Sequence, residues 1–370
     1  MASKVYFTDF RAKGYKQSKV QKIQRLFEAA GFASLITPGA LTAVKLHFGE
    51  MGNDGYISPV FVRQVVDKIR EAQGKPFLTD TNTLYTGMRA NGADHLTTAV
   101  LHGFDYAVAG APVIIADGLK GSDERLVAIN GRHFEKVRIA GAVADADAMV
   151  VLSHFKGHEM AGFGGAIKNL AMGCATPKGK QDQHATRPVV NPKKCVGCRI
   201  CVGICPTQAI AMTPEKKALV NQSVCIGCGE CMAHCQVKAF QLNWATELQD
   251  FTEKMVEYAY GSVLGKQERT GYMTFLMNVT PDCDCTPWSD APIVPDIGIL
   301  ASHDPVALDQ ACLDLVNEAV ANHHSRLGEA ANPTCKDKFQ ALHTHTLGPV
   351  QLSYGEEIGL GSREYELVKL

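Results

Sequence analysis

The chain has 370 residues, 46% of them hydrophobic, with 37 basic against 38 acidic side chains and a formal net charge of −1. That size and apolar content suffice for one large buried core or two ordinary ones. The charge balance, with no basic stripe or polybasic tail, argues against nucleic acid as a partner, and no stretch reaches the ~18 apolar residues of a membrane span. The start lacks the apolar segment of a secretory signal, and thirteen cysteines at mostly metal-type spacing fit a reducing cytoplasm better than a disulfide framework.

Strand and helix patterns alternate through the first half. Thr42–Phe48 is a β-rich run that ends at Gly49. Pro59–Ala72 carries Val62, Val65, Val66 and Ile69 at helical spacing, with Pro59 near its start and Gly74 past its end. Phe77–Thr79 reads as the next strand, Gly92–Leu101 as a helix, and Val113–Ala116, His133–Ile139 and Ala148–Ser153 as further strands. Such alternation predicts an α/β fold, a mostly parallel sheet covered by helices.

Three of these strand ends carry polar side chains. His47 stands beside Gly49 and Glu50. Thr79–Tyr85, with Arg89 and His95 behind it, offers hydroxyls, an amide and a guanidinium to a small anionic molecule, although an Asx or ST turn gives the same letters. Asp117-Gly118 reads as an ordinary turn. The richest segment is Ser153 to Asn169, SHFKGHEMAGFGGAIKN, which starts at the carboxyl end of a strand. Gly162, Gly164 and Gly165 are expected to form a flexible turn before a helix at Ala166, where backbone N–H groups favour a phosphate or carboxylate. His158 and Lys168 are the acid/base and electrostatic candidates, with His154 and Lys156 adding charge.

Eight cysteines then fall in two runs of one spacing: Cys195-x2-Cys198-x2-Cys201-x3-Cys205-Pro206 and Cys225-x2-Cys228-x2-Cys231-x3-Cys235. At this spacing three thiolates wrap one cubane and the fourth ligates the other cluster. The expectation is two [4Fe-4S] clusters, one on Cys195, Cys198, Cys201 and Cys235, the other on Cys225, Cys228, Cys231 and Cys205. One such run also suits zinc, but two identical ones are hard to obtain that way. Ala209–Met212 and Lys238–Leu242 read as short strands of two pseudo-symmetric halves. The block is bounded by Pro188, Asn191 and Pro192 on one side and Trp244 on the other, so it reads as an insertion. The expected organisation is an α/β body over 1–186, a two-cluster ferredoxin-like domain over 187–243, and the body resuming over 244–370.

Beyond the block, Thr246–Tyr260 and Pro305–Val320 are patterned as helices, the second capped by Ser302 or Asp304, and Met273–Val279 is an apolar run. Between them, Asp282-Cys283-Asp284-Cys285 has the Cys-x-Cys spacing of a soft-metal chelate, with Cys174 as a candidate third thiol; a strand alternating polar and thiol residues gives the same letters.

Several stretches resemble an Fe-S center protein family, domain of unknown function 362: HFKGHEMAGFGGAIKNLAMGCATPKGK, VKLHFGEMGN, LTDTNTLYTGMRANGADHL, both cysteine runs and CDCTPWSDAPIVPDIGILASHDPVALDQACLDLV. The Gly-rich loop is also similar to that of the nickel-pincer lactate racemases. That second resemblance implies a pincer-carrying lysine at Lys168, a nickel ligand at His184 and an acid/base at His158.

Together these features predict an iron–sulfur electron-transfer protein, an oxidoreductase whose clusters exchange electrons with a site in the body. There His158 and Lys168 act on substrate and His47, Arg89 and His95 position it. The alternatives are an electron carrier or redox sensor without catalysis, and a redox-neutral isomerase with a nickel-pincer-type site. A redox partner protein or a small anionic substrate is the expected partner.

Overall fold

The computed structural model describes residues 2–184, 187–225, 227, 230–242, 244–330 and 335–370. Its centre is an eight-stranded sheet. The strands are β1 (Ser3–Asp9), β2 (Leu41–Lys45), β3 (Lys75–Asp80), β4 (Val113–Ile115), β5 (Ala148–His154), β6 (Thr270–Leu276), β7 (Gly298–Ser302) and β8 (Tyr365–Lys369). They stand in the order β8-β1-β7-β6-β5-β2-β3-β4, and of the eight only β7 runs against the others.

The sequence of β5 explains its central place. All seven of its residues are buried. Met149 and Val151 enter the core on one face, Val150 and Leu152 the core on the other. A strand apolar on both sides needs helices on both. One face is covered by α1 (Lys19–Ala29), α2 (Pro59–Glu71) and α3 (Gly92–Leu101), the other by α4 (Ala166–Cys174), α5 (Trp244–Val263) and α6 (Pro305–Glu318). α2 buries Val62, Val65, Val66 and Ile69 along one stripe, with Pro59 in its first turn. At the start of α6 the Asp304 carboxylate accepts from Val306 N (2.9 Å) and Ala307 N (3.0 Å), the helix cap expected there.

Two expectations change. The strand expected at His133–Ile139 is Lys136–Ala140, and it leaves the main sheet to pair antiparallel with Glu124–Ala128. Lys136 is exposed and Arg138 half-buried between buried Val137 and Ile139, so only one face of this strand is apolar, which suits a hairpin better than a central strand. β1, β7 and β8, with α1, complete the sheet where no strand was expected.

From β2 the chain moves outward through β3 to β4, returns to the other side of β2 as β5, and proceeds through β6. The switch point therefore lies between the carboxyl ends of β2 and β5, where an open α/β sheet leaves its crevice.

In the cysteine segment Pro188–Val190 pairs antiparallel with Phe240–Leu242, so the incoming and outgoing chain lie side by side. Ile210–Met212 pairs with Ala218–Val220. The two halves repeat their bonds: Asn191 N donates to Ala239 O and Asn221 N to Ala209 O, each at 2.7 Å. Likewise Ala209 N donates to Cys205 Sγ and Ala239 N to Cys235 Sγ, each at 3.2 Å. Cys195, Cys201, Ile210, Ala218, Val220, Cys231, Ala239 and Phe240 form a small core of their own. Cys228 lies outside the described residues.

Candidate functional site

The crevice is lined by charge. At the end of β2, Lys45 is fully buried, with Nζ 3.0 Å from Asp80 Oδ1 and 2.7 Å from Asn169 Oδ1 on α4. Asp80, on β3, also faces Arg89 Nη1 at 3.3 Å and His95 Nε2 at 3.8 Å. Burial works against the Asp80 charge, but Lys45, His47, His95 and Arg89 hold its carboxyl well below the usual range. Arg89 reaches Glu50 Oε2 through Nε (3.4 Å) and donates to the Tyr85 hydroxyl. Burial pushes His95 down to about 3 and, with Arg89, lowers His47 well below an ordinary imidazole. Neither ring nitrogen of His95 has a hydrogen-bond partner.

His47, Arg89 and His95 thus meet as expected, but the Arg89 fork is already committed to two buried carboxylates and a phenol. It is a strut of the crevice wall rather than a free hook for an anionic substrate. Asp117, read as part of an ordinary turn, is buried and accepts from Asn82 N and Nδ2, each at 3.0 Å; burial pushes its carboxyl up to about 6.

The anion cradle is also corrected. Lys156–His158 and Gly162–Gly164 form a buried hairpin, not a flexible turn. The first N–H groups of α4 are taken by the protein itself: Ala166 N donates to Asp309 Oδ1 (2.7 Å) and Ile167 N to Asp309 Oδ2 (2.9 Å). A Cβ on Gly165 would lie 2.3 Å from that carboxylate, so this glycine admits Asp309 where a cofactor anion was expected. Gly162, Gly164 and Gly165 therefore shape the hairpin and its junction with α4.

A second network centres on Asp284. Lys156 Nζ lies 2.6 Å from Asp284 Oδ2, and His154 Nδ1 lies 3.0 Å from the same oxygen. His154 Nε2 faces the carbonyls of Met277 and Asn278 at 3.0 and 2.9 Å. Burial would raise the Asp284 carboxyl, yet His154 and Lys156 hold it well below the usual range. Glu50 N donates to Asp284 O at 3.0 Å and ties the two networks together. The hairpin and the 280s loop touch closely: a Cβ on Gly157 would stand 2.0 Å from Pro281 O.

Beside Asp284 sit the two thiols. Cys283 Sγ, Cys285 Sγ and a ring nitrogen of His158 lie within 4.8 Å of one another, a donor set suited to a soft metal ion. Lys168 Nζ is 3.8 Å from Cys283 Sγ. The hydrogen bond from Cys285, with Lys168, His158 and Lys156 nearby, lowers the Cys283 thiol well below its ordinary value despite burial, while Cys285 is pushed well up. Cys174 does not join them. It is buried with Sγ 3.9 Å from Asn169 O, and burial pushes its thiol up to about 11.

His184 comes to the same quarter. Burial first, then the proximity of His158, Lys168 and Lys180, pushes its imidazole down to about 3. Its ring packs on Phe251, and its buried Nδ1 has no hydrogen-bond partner. Lys45 was not singled out in the sequence, and Asp80, Asn169 and Asp309 were given no role of their own at the site. A lysine in the mostly apolar run Leu-Thr-Ala-Val-Lys-Leu was the signal for Lys45.

In the cysteine segment, Cys195, Cys198 and Cys201 of the first run line a single cavity with Cys235 of the second. Ala218 N donates to Cys195 Sγ at 3.4 Å. The segment meets the body through the turn of Cys231: Met232 packs against both its own core and that of the body. Burial, with the carboxylates of Glu50 and Glu159, pushes Glu230 up to about 7 against the pull of His234. No helix among the described residues is long and apolar enough to cross a membrane.

A mostly parallel α/β sheet with charged crevice and a cysteine-rich excursion defines the class of protein. Residues 42–314 match the family described as domain of unknown function 362, and the chain belongs to that family. No curated protein matches it. Among solved structures it is similar to the lactate racemase apoprotein from Thermoanaerobacterium thermosaccharolyticum, at 13% identity and a TM-score of 0.38. That similarity covers 74% of this chain and 50% of the racemase, so the chain spans about half of its length.

Proposed function

We propose that this protein is an iron–sulfur oxidoreductase in which a ferredoxin-like domain over residues 187–243 holds two [4Fe-4S] clusters and exchanges electrons with a site in the α/β body. The observation that carries the reading is the cavity shared by Cys195, Cys198, Cys201 and Cys235. Sulfur donors from both runs meet as a crossed ligand pattern requires. The donor chemistry fits the group: backbone N–H groups reach Cys195, Cys205 and Cys235, bonds that stabilise thiolate sulfur. Cys205, Cys225, Cys228 and Cys231 would hold the second cluster. When bound, such clusters supply one-electron transfer. The chain's own part is to exclude water, orient the ligands and dock the Cys231 turn against the crevice.

Anaerobic quantitation on protein purified without reconstitution tests this. The expected result is about eight irons and eight sulfides per chain; zinc at the same cysteines, or no metal, would overturn it.

A redox-neutral isomerase with a nickel-pincer-type site is the second reading. One observation favours it: His158, Lys168 and His184 come together, and His184 keeps an unpartnered buried Nδ1. Nickel at one per chain, lost on His184→Ala, would establish it over the first.

A further inference from the structure

We propose that Cys283 and Cys285 form a redox-active dithiol that cycles to a disulfide and serves as the electron-exchanging group of the body. This rests on the electron-transfer reading above and specifies its second partner.

The two cysteines occupy one turn, closed by Thr286 N donating to Cys283 O at 3.0 Å. Their sulfurs lie within 4.8 Å of each other, close enough for side-chain rotation and a small turn adjustment to bring them to bonding distance. Their surroundings favour a thiolate over a bound cation. Lys168 Nζ stands 3.8 Å from Cys283 Sγ, and Lys156 lies on the same side, held by Asp284. His158 Nδ1 accepts from Met160 N (3.1 Å) and Ala161 N (3.0 Å), so the neutral ring carries its proton on Nε2. A ring in that state donates to sulfur; ligating a metal through Nε2 would require the imidazolate.

Cys283 is 3% exposed and Cys285 half-buried, so the Cys283 sulfur is shielded from a protein disulfide and favours exchange within the molecule. In this scheme the source is the Cys231 turn, whose neighbour Met232 packs against the core of the body. Glu230, beside it, feels Glu159, the same carboxylate that acts on Cys285. Oxidation of the Cys283 thiolate and Cys285 thiol forms one S–S bond and releases two electrons and the Cys285 proton. Glu159, with its side chain 54% exposed, passes the proton to solvent. Two one-electron iron–sulfur centres take one electron each. In reverse they return both, the S–S bond breaks, and Cys285 is reprotonated.

The test uses the full chain, purified anaerobically with its native metals and poised at a series of potentials with mediators. Each sample is denatured in iodoacetamide, and the peptide 270–326, which carries Cys283, Cys285 and Cys312, is weighed by mass spectrometry. The expected result is joint loss of two labels in one two-electron step as the potential rises, with Cys312 labelled throughout. Cys283→Ser and Cys285→Ser each abolish the step while keeping wild-type iron. Full labelling at every potential in iron-replete protein would overturn the dithiol and leave the electron-transfer reading standing. A zinc or nickel ion lost on Cys283→Ser would overturn it in favour of a metal site. A chain without iron would remove the electron-transfer reading and the dithiol proposal with it.

Discussion

In the cysteine segment, three of the four sulfurs that line the cavity come from seven consecutive residues, Cys195 to Cys201. In the body, the groups around Asp284 and the thiols come from β5, the hairpin after it, α4 and the 280s loop, more than a hundred residues apart. The first region builds a site from local spacing and backbone N–H groups, so it needs little else. The second holds buried charges, and each of these is tolerable only because a partner from another element neutralises it. The segment should therefore fail one cysteine at a time, whereas the body should fail as a network.

The sharpest way to break that contrast is to remove one of the cysteines that line the cavity. Cys235→Ser should lower iron by about half or more, while circular dichroism and unfolding of the body stay near wild type. Loss of the body fold would mean that the two regions are not separable. Next in size, Asp284→Asn leaves Lys156 without its buried counter-charge and weakens the His154 contact, at a cost of about 3–5 kcal/mol in urea unfolding. Adding Lys156→Met should recover part of that loss; strict additivity of the two changes would show that the pair does not act as a unit.

Asp309 provides a pH test. Burial pushes its folded value up to about 7 against an ordinary 3.8, although two N–H groups oppose the shift and Asp304 adds to it. Between about pH 4 and 7 the folded state binds more protons than the unfolded one, so this group makes stability fall as pH rises through that window, by a few kcal/mol in order of magnitude. Asp309→Asn should flatten that slope between about pH 4 and 7; an unchanged slope would place the titration elsewhere. A smaller effect is expected at Lys168. Lys168→Met removes a cation beside Cys283, so the pH at which thiolate absorbance near 240 nm appears should rise. The smallest is Met232→Ala, which trims the contact between the regions and should cost less than about 2 kcal/mol, seen as faster hydrogen exchange in the segment with iron retained.

The parts of the fold that were legible are those whose pattern is local. α2 shows its stripe and its proline, α3 its exact span, and β5 its run of buried residues. β1, β7 and β8 were not legible, because they are placed by pairing at one side of the sheet rather than by their own alternation. At the site, His158, Lys168 and His184 could be singled out, and they do meet. The use of Arg89 could not be read, since whether a guanidinium is free or spent depends on Glu50, from the loop after β2, and Asp80, at the end of β3, facing it. The glycines after Phe155 read as an anion cradle for the same reason: the anion that fills it, Asp309, lies 144 positions beyond Gly165.

By itself, then, the sequence determined the α/β class, the repeated spacing of the cysteine runs and the residue types gathered in the Gly-rich hairpin, because each follows from the reach of a few bonded neighbours. Only the tertiary structure decided which charges face one another and that Cys174 stands apart from Cys283 and Cys285. Those choices depend on burial, which raises the cost of an unpartnered charge, and on which distant chain segment arrives to provide the partner.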